Sequence, residues 1–213
     1  MKTFITTLIT ASIFSVIGLN STYAADSSNE KAVTTLNDLK NIKKIVANGN
    51  VEILLLQAPT ESVKVYDSYY TKNALVQQQN GELRISSFEK EPLTVAVYVK
   101  NINTIEACGN AIIKTVNKVS FLELNITLKD NAKANINANT VSLYTNVTDK
   151  ASITLSGAAE TYYAELGMKA SLNLDKFKAE ISDVKSLAPV YAKNVANKKT
   201  TLNDLLIEDP FAK

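Results

Sequence analysis

The chain has 213 residues, 23 basic and 21 acidic side chains, and a formal net charge of +2. This length favours one sizeable domain with appended ends, and the near balance of charge, without a basic stripe, argues against a nucleic-acid-binding surface. Histidine is absent altogether, which removes the commonest general base and metal ligand and so disfavours acid–base or metal-dependent catalysis.

Residues 1–24 are predicted to be a secretory signal peptide. Lys2 gives a positive start, and the apolar run FITTLITASIFSVIGL that follows is too short for a permanent membrane anchor. The segment STYA places Thr22 and Ala24 just before the expected cleavage site. The residue directly after that site is Ala25 and not a cysteine, and no second long apolar run occurs. We therefore expect an exported chain without a lipid anchor or a transmembrane segment, located in the periplasm, at the cell surface or outside the cell.

After a lead-in at residues 25–40, residues 41–188 are predicted to form one all-β domain. Its N-terminal half contains four strand-type stretches, which alternate apolar and polar residues or are β-branched: IVANGNVEILLLQ from Ile45, SVKVYD from Ser62, GELRISSF from Gly81 and LTVAVYVK from Leu93. Asn80-Gly81, between LVQQQ and ELRIS, predicts a hairpin turn. No linker rich in proline or glycine separates the two halves of the domain.

Cys108 is the only cysteine, so the chain cannot form an intrachain disulfide. One interpretation of this residue is a small buried side chain at a strand turn. The other is a reactive thiol, although no histidine is present to activate it and no motif surrounds it.

The C-terminal half of the domain repeats itself with a period of nineteen residues. The pattern Lys-Ala-Ser, followed by alternating apolar and polar residues, begins at Lys150 and again at Lys169. Apolar positions coincide at this spacing in four series: Ala134, Ile153 and Leu172; Ile136, Leu155 and Leu174; Leu124, Leu143, Tyr162 and Ile181; and Leu128, Val147 and Leu166. The local alternation predicts two short strands in each unit, the first near 132–137, 151–156 and 170–175 and the second near 122–128, 141–147, 161–166 and 177–182.

A fixed period of this size in strand-type sequence predicts a parallel β-solenoid, or β-helix, with a coil near nineteen residues. One coil cannot bury its apolar side alone, but a second coil stacked about 4.8 Å above it completes a continuous core. Each residue then lies over its counterpart in the next coil. Ala132, Ala151 and Ala170 are expected at the corners, where little room is left inside.

The succession of these segments resembles the head GIN domain family, whose members are described as putative auto-transporter adhesins and are common in Bacteroidota. The resemblance covers residues 41–187 and rests on IKKIVANGNVEILLLQ, ESVKVYD, NGELRIS, LTVAVYVKNINTIEACGNAIIKT and the repeated KAS units. The chain departs from the family at Cys108-Gly109, where members usually have Ser-Gly, and keeps a later Ser-Gly-Ala as Ser156-Gly157-Ala158. The resemblance implies a right-handed, single-stranded β-helix, and it implies no established activity and no catalytic residue.

A polysaccharide-active enzyme is the alternative that a β-helix raises. Such chemistry needs paired carboxylates, or a base beside acids that hold calcium. The acids of the repeat are instead scattered: Glu123, Asp149, Glu165, Asp175, Glu180 and Asp183. Arg84 is the only arginine, and neither a nucleotide-binding loop nor a GxSxG motif occurs. We therefore expect no catalytic site, no cofactor and no bound metal.

Tyr144 and Tyr163 are the candidate binding residues. They are nineteen residues apart and are expected to point outward beside the inward Leu143 and Tyr162. Two exposed rings on adjacent coils, beside hydroxyl and amide side chains, predict a platform for a glycan or an envelope protein. The alternative is an aromatic ladder that stabilises the sheet and binds nothing.

Residues 189–213 are predicted to be a connector followed by a capping tail. The hexapeptide TTLNDL occurs at Thr34–Leu39 and again at Thr200–Leu205, and each copy has the loose form of a helix-starting capping box. The second copy predicts a short helix over 200–208 that docks its leucines, Leu202, Leu205 and Leu206, on the open last coil. The alternative is a chance match between two tails.

These features together predict an exported, non-enzymatic β-helix that displays a surface for adhesion or cell-envelope binding. A glycan or an envelope protein is the expected partner. Two alternatives from other classes stay open, namely the polysaccharide-active enzyme and a structural or sensor-partner protein of the envelope.

Cleavage of the signal peptide is expected to leave Ala25 as the N-terminal residue of the exported protein, because Ala24 ends the segment that a signal peptidase recognises. Intact-mass spectrometry of the exported fraction checks this expectation. A mass that still includes Met1 would contradict the cleavage, and with it the argument for export.

Overall fold

The computed structural model describes residues 33–66 and 74–187, and the regular structure within these ranges consists of β-strands with no helix. The strands are β1 (Val33–Leu36), β2 (Lys44–Gly49), β3 (Val51–Gln57), β4 (Ser62–Tyr66), β5 (Ala74–Gln79), β6 (Glu82–Ser87), β7 (Leu93–Val99), β8 (Thr104–Gly109), β9 (Ile112–Thr115), β10 (Val119–Leu128), β11 (Lys133–Val147), β12 (Ser152–Leu166) and β13 (Ser171–Ser186). The predicted all-β class is confirmed for the described residues. Over the same ranges, no helix has the length and apolar character needed to cross a membrane.

All thirteen strands belong to one open, curled sheet. Its hydrogen-bonded order is β1-β4-β7-β3-β9-β11-β10-β8-β2-β6-β5, with β12 beside β11 and β13 beside β12. β11 belongs to two runs of this sheet, because Lys133–Asn135 pairs with β9 whereas Ala138–Val147 pairs with β10. The sheet therefore curls around the side chains between the two runs, and these side chains form one buried core.

The nineteen-residue period is the register of parallel pairing between neighbouring strands. Leu124 of β10 lies opposite Leu143 of β11, which in turn lies opposite Tyr162 of β12. Leu128, Val147 and Leu166 line up in the same way. Every inward side chain thus lies beside its counterpart on the next strand, about 4.8 Å away, and this part of the sequence prediction is confirmed.

The register slips by one residue between β12 and β13. Ile153 lies opposite Leu172, which is nineteen residues later, but Thr161 lies opposite Ile181, which is twenty residues later. The shift follows Thr154, so β13 contains one residue more than the repeat provides. Such an extra residue is a β-bulge, and it displaces every later position of the strand.

Two predicted alignments are wrong because of this slip. The repeat places Ile181 in line with Tyr162, but Ser182 lies opposite Tyr162 and Ile181 is 58% exposed. Leu155 and Leu174 fall at the shift itself and do not form a register pair.

The predicted break between two short strands in each unit is also wrong. β11 and β12 each continue over 15 residues and β13 over 16, because the backbone ladder stays paired through the bend, where Ala138 lies opposite Gly157. Gly157 has φ of 101°, and a Cβ atom there would lie 2.1 Å from the carbonyl oxygen of Ala138. Only glycine fits this close approach of two backbones, which lets the strand bend without ending.

Antiparallel strands, which the repeat does not predict, lie at the edges of the N-terminal half of the sheet. β5 and β6 form the predicted hairpin, with Asn80 and Gly81 in its turn at φ of 51° and 79°. β4 runs antiparallel to β7, and β1 runs antiparallel to β4. The parallel strands are therefore followed by antiparallel pairing on both runs, by β5 on one run and by β4 and then β1 on the other.

The first copy of TTLNDL does not start a helix, because its first three residues, Thr34–Leu36, lie in β1. Leu36 lies opposite Val63 of β4, and Leu36 and Leu39 pack partly buried against the core. The two threonines favour the extended conformation because they are β-branched, and the long-range pairing with β4 then outweighs the helix-capping pattern. The second copy, with the predicted helix over 200–208, lies outside the described residues, as do the predicted signal peptide and connector.

Tight turns with buried alanines lead into β11 and β12. The backbone N–H groups of Ala132 and Ala151 donate to the carbonyl oxygens of Lys129 and Thr148, each at 3.1 Å, and both alanines are fully buried as predicted. Ala170, the third predicted corner, is only half-buried, since it leads into the last strand of the sheet.

Two aspartates, which the sequence analysis missed, connect successive turns. Asp130 and Asp149 adopt the left-handed conformation, with φ of 59° and 56°, which aspartate tolerates better than most residues. The backbone N–H of Gly109 donates to Asp130 Oδ2 at 2.9 Å, and the backbone N–H of Asp130 donates to Asp149 Oδ2 at 3.2 Å. Each carboxylate thus satisfies a backbone donor of the preceding turn.

Replacing Leu155 by Asp is expected to unfold the C-terminal strands. Leu155 is 1% exposed, and burying an unpaired carboxylate costs several kcal/mol, a large part of a domain's stability. The matched control is Thr154→Asp, since Thr154 is the exposed neighbour on the same strand, and we expect a change within about 0.5 kcal/mol there. Thermal melts of both variants test this, and equal melting temperatures would contradict the assigned inward face.

Tyr162 makes the stability of the fold sensitive to alkaline pH. Its side chain is fully buried, its ring packs edge-on against Phe177 at 5.2 Å, and its hydroxyl lies 3.0 Å from the Thr145 hydroxyl. Burial raises the pKa of Tyr162 to about 12, because the ionised form loses its hydration. The unfolded chain, with a tyrosine pKa near 10, releases this proton first.

The contribution of the Tyr162 hydroxyl is therefore complete below about pH 10 and is lost as the pH rises towards 12. Tyr162→Phe is expected to lower stability at pH 7 by about 1 kcal/mol through the lost hydrogen bond. As the pH rises towards 12, the free energy of unfolding of this variant is also expected to fall by about 2–3 kcal/mol less than that of the unsubstituted protein. Urea unfolding between pH 7 and pH 12 measures both effects. If the free energy of unfolding depended on alkaline pH equally in both proteins, the raised pKa of buried Tyr162 would be contradicted.

Candidate functional site

Outward side chains of the C-terminal strands line up in two neighbouring rows. The in-register pairing that aligns the core also aligns these residues, because alternate positions of each strand point to opposite faces. The first row is Asn125, Tyr144, Tyr163 and Asp183, and the second is Thr127, Asn146, Glu165 and Lys185. We call these eight residues the tyrosine surface.

The two predicted binding residues are neighbours on this surface. Tyr144 of β11 lies directly opposite Tyr163 of β12, so their backbones are about 4.8 Å apart. Tyr163 is 45% exposed, whereas Tyr144 is half-buried. The structure therefore brings the two rings together, with Tyr163 as the more accessible of the two.

A hydrogen bond connects the two rows. The Tyr144 hydroxyl donates to Glu165 Oε2 at 2.9 Å. Burial raises the pKa of Tyr144 above its usual value, and the adjacent Glu165 carboxylate raises it further, since a second negative charge there is unfavourable. Tyr144 therefore stays protonated over the physiological range and holds the Glu165 carboxylate on the surface.

An open cleft of about 440 Å³ adjoins the tyrosines. Its lining includes Asn146, Glu165 and Lys185 of the second row together with Leu166 and Leu187. The cleft thus offers an amide, a carboxylate and an ammonium group beside apolar surface. These groups supply both hydrogen-bond donors and acceptors without a strong net charge.

The sequence analysis missed Asn146, Glu165 and Lys185 as candidate binding residues. Thr127 and Asn146 carry the nineteen-residue spacing, which was available from the sequence. The contact between Tyr144 and Glu165 joins residues 21 apart, so it runs diagonally across the strands and no single period reveals it. Lys185 joins the row only because the register of β13 has slipped by one residue.

Glu123 and Glu165 do not form the carboxylate pair that glycoside hydrolysis requires. Glu123 accepts a hydrogen bond from the Asn125 amide at 2.9 Å. The residue of β12 that lies in line with Glu123 is Thr161, which is four residues before Glu165. Two strands and four residues separate the backbones of the two glutamates by about 16 Å along the sheet, whereas catalytic pairs lie about 5–10 Å apart. Over residues 33–66 and 74–187, no group of three or more metal-ligating side chains occurs.

Cys108 lies beside side-chain and backbone oxygens of β2. It is partly buried, and its thiol lies 3.2 Å from the side-chain oxygen of Asn48 and 3.7 Å from the carbonyl oxygen of Ala47. Burial raises the pKa of Cys108, and the nearby Asp130 charge adds to the effect. The thiol therefore stays protonated at neutral pH, and the thiolate is the nucleophilic form, which disfavours the reactive-thiol interpretation.

Comparison with known proteins gives one family match and several solved structures. The family model described as putative auto-transporter adhesin, head GIN domain, matches residues 41–199. A putative adhesin from Parabacteroides merdae is similar with a TM-score of 0.61 at 14% identity, over 73% of this chain and 77% of that one. A putative adhesin from Parabacteroides distasonis gives a TM-score of 0.56 at 13% identity, over 73% and 77%.

A third similar structure, a putative lipid binding protein from Parabacteroides distasonis, has a TM-score of 0.57 at 9% identity, over 73% of this chain and 78% of that one. No curated protein matches the sequence. At these identities the structural similarities establish a shared fold.

Proposed function

We propose, since this chain belongs to the family of putative auto-transporter adhesins with the head GIN domain, that it is an exported, non-enzymatic module that binds a molecule of a cell surface or envelope. The family model covers the described strands from β2 to β13. The tyrosine surface is the described feature that best suits such binding, because it combines exposed aromatic area with convergent polar groups.

The scaffold of this module is a right-handed β-helix with about nineteen residues per coil. The supporting observation is that β10, β11 and β12 pair in parallel at this spacing while β11 passes from one run of the sheet to the other. Connections between parallel strands of one sheet are right-handed in nearly all proteins. A β-helix presents equivalent side chains every 4.8 Å or so, which suits a ligand that is itself extended.

A glycan is the ligand that the tyrosine surface fits best. The faces of sugar rings carry C–H groups that pack on aromatic rings, and Tyr163 offers such a ring at 45% exposure. Sugar hydroxyls both donate and accept hydrogen bonds, and Asn146, Glu165 and Lys185 supply both kinds of partner next to the rings. The juxtaposition of Tyr144 and Tyr163 with this cleft is the observation that carries the proposal.

A lipid is the second candidate. The cleft also contains Leu166 and Leu187, and one structure with a similar fold is named a putative lipid binding protein. A fatty acyl chain would lie against these leucines and would leave the tyrosine rings without a role. The two ligands therefore differ in which side chains they need.

Binding of the exported chain to a glycan array, to isolated envelope fractions and to phospholipid vesicles tests the proposal. Tyr163→Ala is expected to weaken glycan binding about tenfold or more, since an aromatic anchor contributes at least ~1.4 kcal/mol. Phe88→Ala is the matched control, because Phe88 is an aromatic residue that is 76% exposed and lies outside the tyrosine surface.

Equal losses in both variants, or none in Tyr163→Ala, would contradict the glycan proposal. Vesicle binding that survives Tyr163→Ala but fails in Leu187→Asn, at the cleft leucine that is 80% exposed, would favour the lipid candidate. Cleavage products released from the glycans would instead support the polysaccharide-active enzyme, and binding only to an envelope protein would support the structural or sensor-partner alternative.

A further inference from the structure

The two rows of the tyrosine surface continue beyond β10 into the N-terminal half of the sheet. Asn125 lies opposite Thr104 of β8, and Thr127 lies opposite Glu106 of the same strand. β8 pairs with β2, β2 pairs with β6, and β6 pairs with β5. The first row continues from Thr104 through Lys44 and Glu82 to Gln79, and the second from Glu106 through Val46 and Arg84 to Gln77. Each row therefore crosses eight strands, from β5 to β13.

Both rows lie on the outer side of one run of the sheet. The residues between them on four of the strands are each at most 1% exposed: Ile45, Leu83, Ile105 and Ile126. Since alternate residues of a strand point to opposite faces, the two rows point to solvent. Eight strands give a length of about 34 Å, and the rows are about 7 Å apart. We call the residues of these two rows the polar strip.

Ion pairs fix the charged side chains in the N-terminal part of the polar strip. Lys44 Nζ lies 2.8 Å from Glu106 Oε1 and 3.5 Å from Glu82 Oε2, and Arg84 Nε contacts Glu82 Oε1. These contacts connect β6, β2 and β8, as the tyrosine–glutamate hydrogen bond connects β11 and β12. Side chains that are already held in place lose less conformational freedom when a ligand binds, and this favours affinity.

Arg84 is the charged side chain of this part that a ligand reaches most readily. It is 65% exposed, compared with 42% for Glu106 and 31% for Lys44. Its contact with Glu82 uses Nε, and the terminal nitrogens of a guanidinium group carry further N–H donors. Five strand intervals separate β6 from β12, so Arg84 and Tyr163 mark positions about 24 Å apart along the polar strip.

The outer side of the other run has a different composition. Leu54 lies opposite Ala96 there, and Leu56 lies opposite Tyr98. In the polar strip, by contrast, Val46 is the only aliphatic side chain among the sixteen positions. Parallel pairing aligns the outward residues of both runs, but it does not make them polar. The composition of the polar strip is therefore a property of this run and not of the fold in general.

The charges of the polar strip nearly cancel. The N-terminal part holds two basic and two acidic side chains in mutual contact. At the C-terminal end Lys185 lies opposite Glu165, and Asp183 adds one further negative charge. A polyanion or a polycation would meet like charges along this surface. The hydroxyl groups of an uncharged sugar chain, in contrast, can donate to the carboxylates and accept from the ammonium and guanidinium groups.

We propose that a linear, uncharged glycan lies across the strands along the polar strip, with the two tyrosines as one main contact and Arg84 as the other. This inference rests on the glycan binding proposed above, and adds that the ligand is a chain long enough to reach both contacts. Two contact regions on one ligand act together only if the ligand spans the distance between them. The affinity therefore depends on the length of the chain.

Titration calorimetry of the exported full chain with linear oligosaccharides of glucose, mannose or N-acetylglucosamine, from two to eight units, tests this dependence. Affinity is expected to rise by about tenfold or more from the shortest to the longest chains. Arg84→Ala is expected to remove this rise, whereas Tyr163→Ala is expected to weaken binding at every length. Lys114→Ala is the matched control, because Lys114 is a basic residue of the other run, paired with Glu52 at 2.7 Å.

Equal affinity for short and long chains would overturn the proposal, and so would a loss in Lys114→Ala as large as that in Arg84→Ala. Tighter binding of sulfated oligosaccharides of the same length would also overturn it, since the ligand would then be a polyanion. Under each of these outcomes, binding that still needs Tyr163 would leave the proposed glycan binding in place. Absence of binding at every length would contradict both proposals.

Discussion

The in-register parallel pairing of β10, β11 and β12 is the constraint on which the rest of the structure depends. A spacing of nineteen residues places Leu124, Leu143 and Tyr162 side by side in the core. Because strand side chains alternate between faces, a shift of one residue would turn the whole apolar set outward. The register is therefore defined by burial, and Tyr162 is accommodated within it because its hydroxyl meets that of Thr145.

The turns must keep the repeat length constant for this pairing to continue. Ala132 and Ala151 are small enough to be fully buried where the chain reverses, and Asp130 and Asp149 connect each turn to the one before it. Gly157 allows the backbones of β11 and β12 to approach at the bend. The repeat thus contains small and turn-forming residues at fixed positions as well as apolar ones. Both patterns arise because successive strands lie in register beside one another.

The chemistry of the tyrosine surface follows from the nineteen-residue register and from the one-residue shift between β12 and β13. In-register pairing puts Tyr163 beside Tyr144. The register that aligns the buried side chains therefore also aligns similar side chains on the outer face. The bulge in β13 then changes the end of each row, because it places Asp183 opposite Tyr163 and Lys185 opposite Glu165. Without the slip, Ser182 and Val184 would occupy these places, and the cleft would lack its ammonium group.

The sequence by itself determined the all-β class, the nineteen-residue register, the hairpin at Asn80-Gly81 and the adjacency of Tyr144 and Tyr163, because each of these is carried by a local pattern or a fixed period. Only the tertiary structure decided that the start of the first TTLNDL copy lies in β1 on the edge of β4, that β11 and β12 bend without breaking, and that Lys185 joins Glu165. These features depend on partners distant in sequence, whose backbone hydrogen bonds and buried area outweigh local propensity. A period read along one chain contains no information about which strand will lie at an edge or where an extra residue will be absorbed.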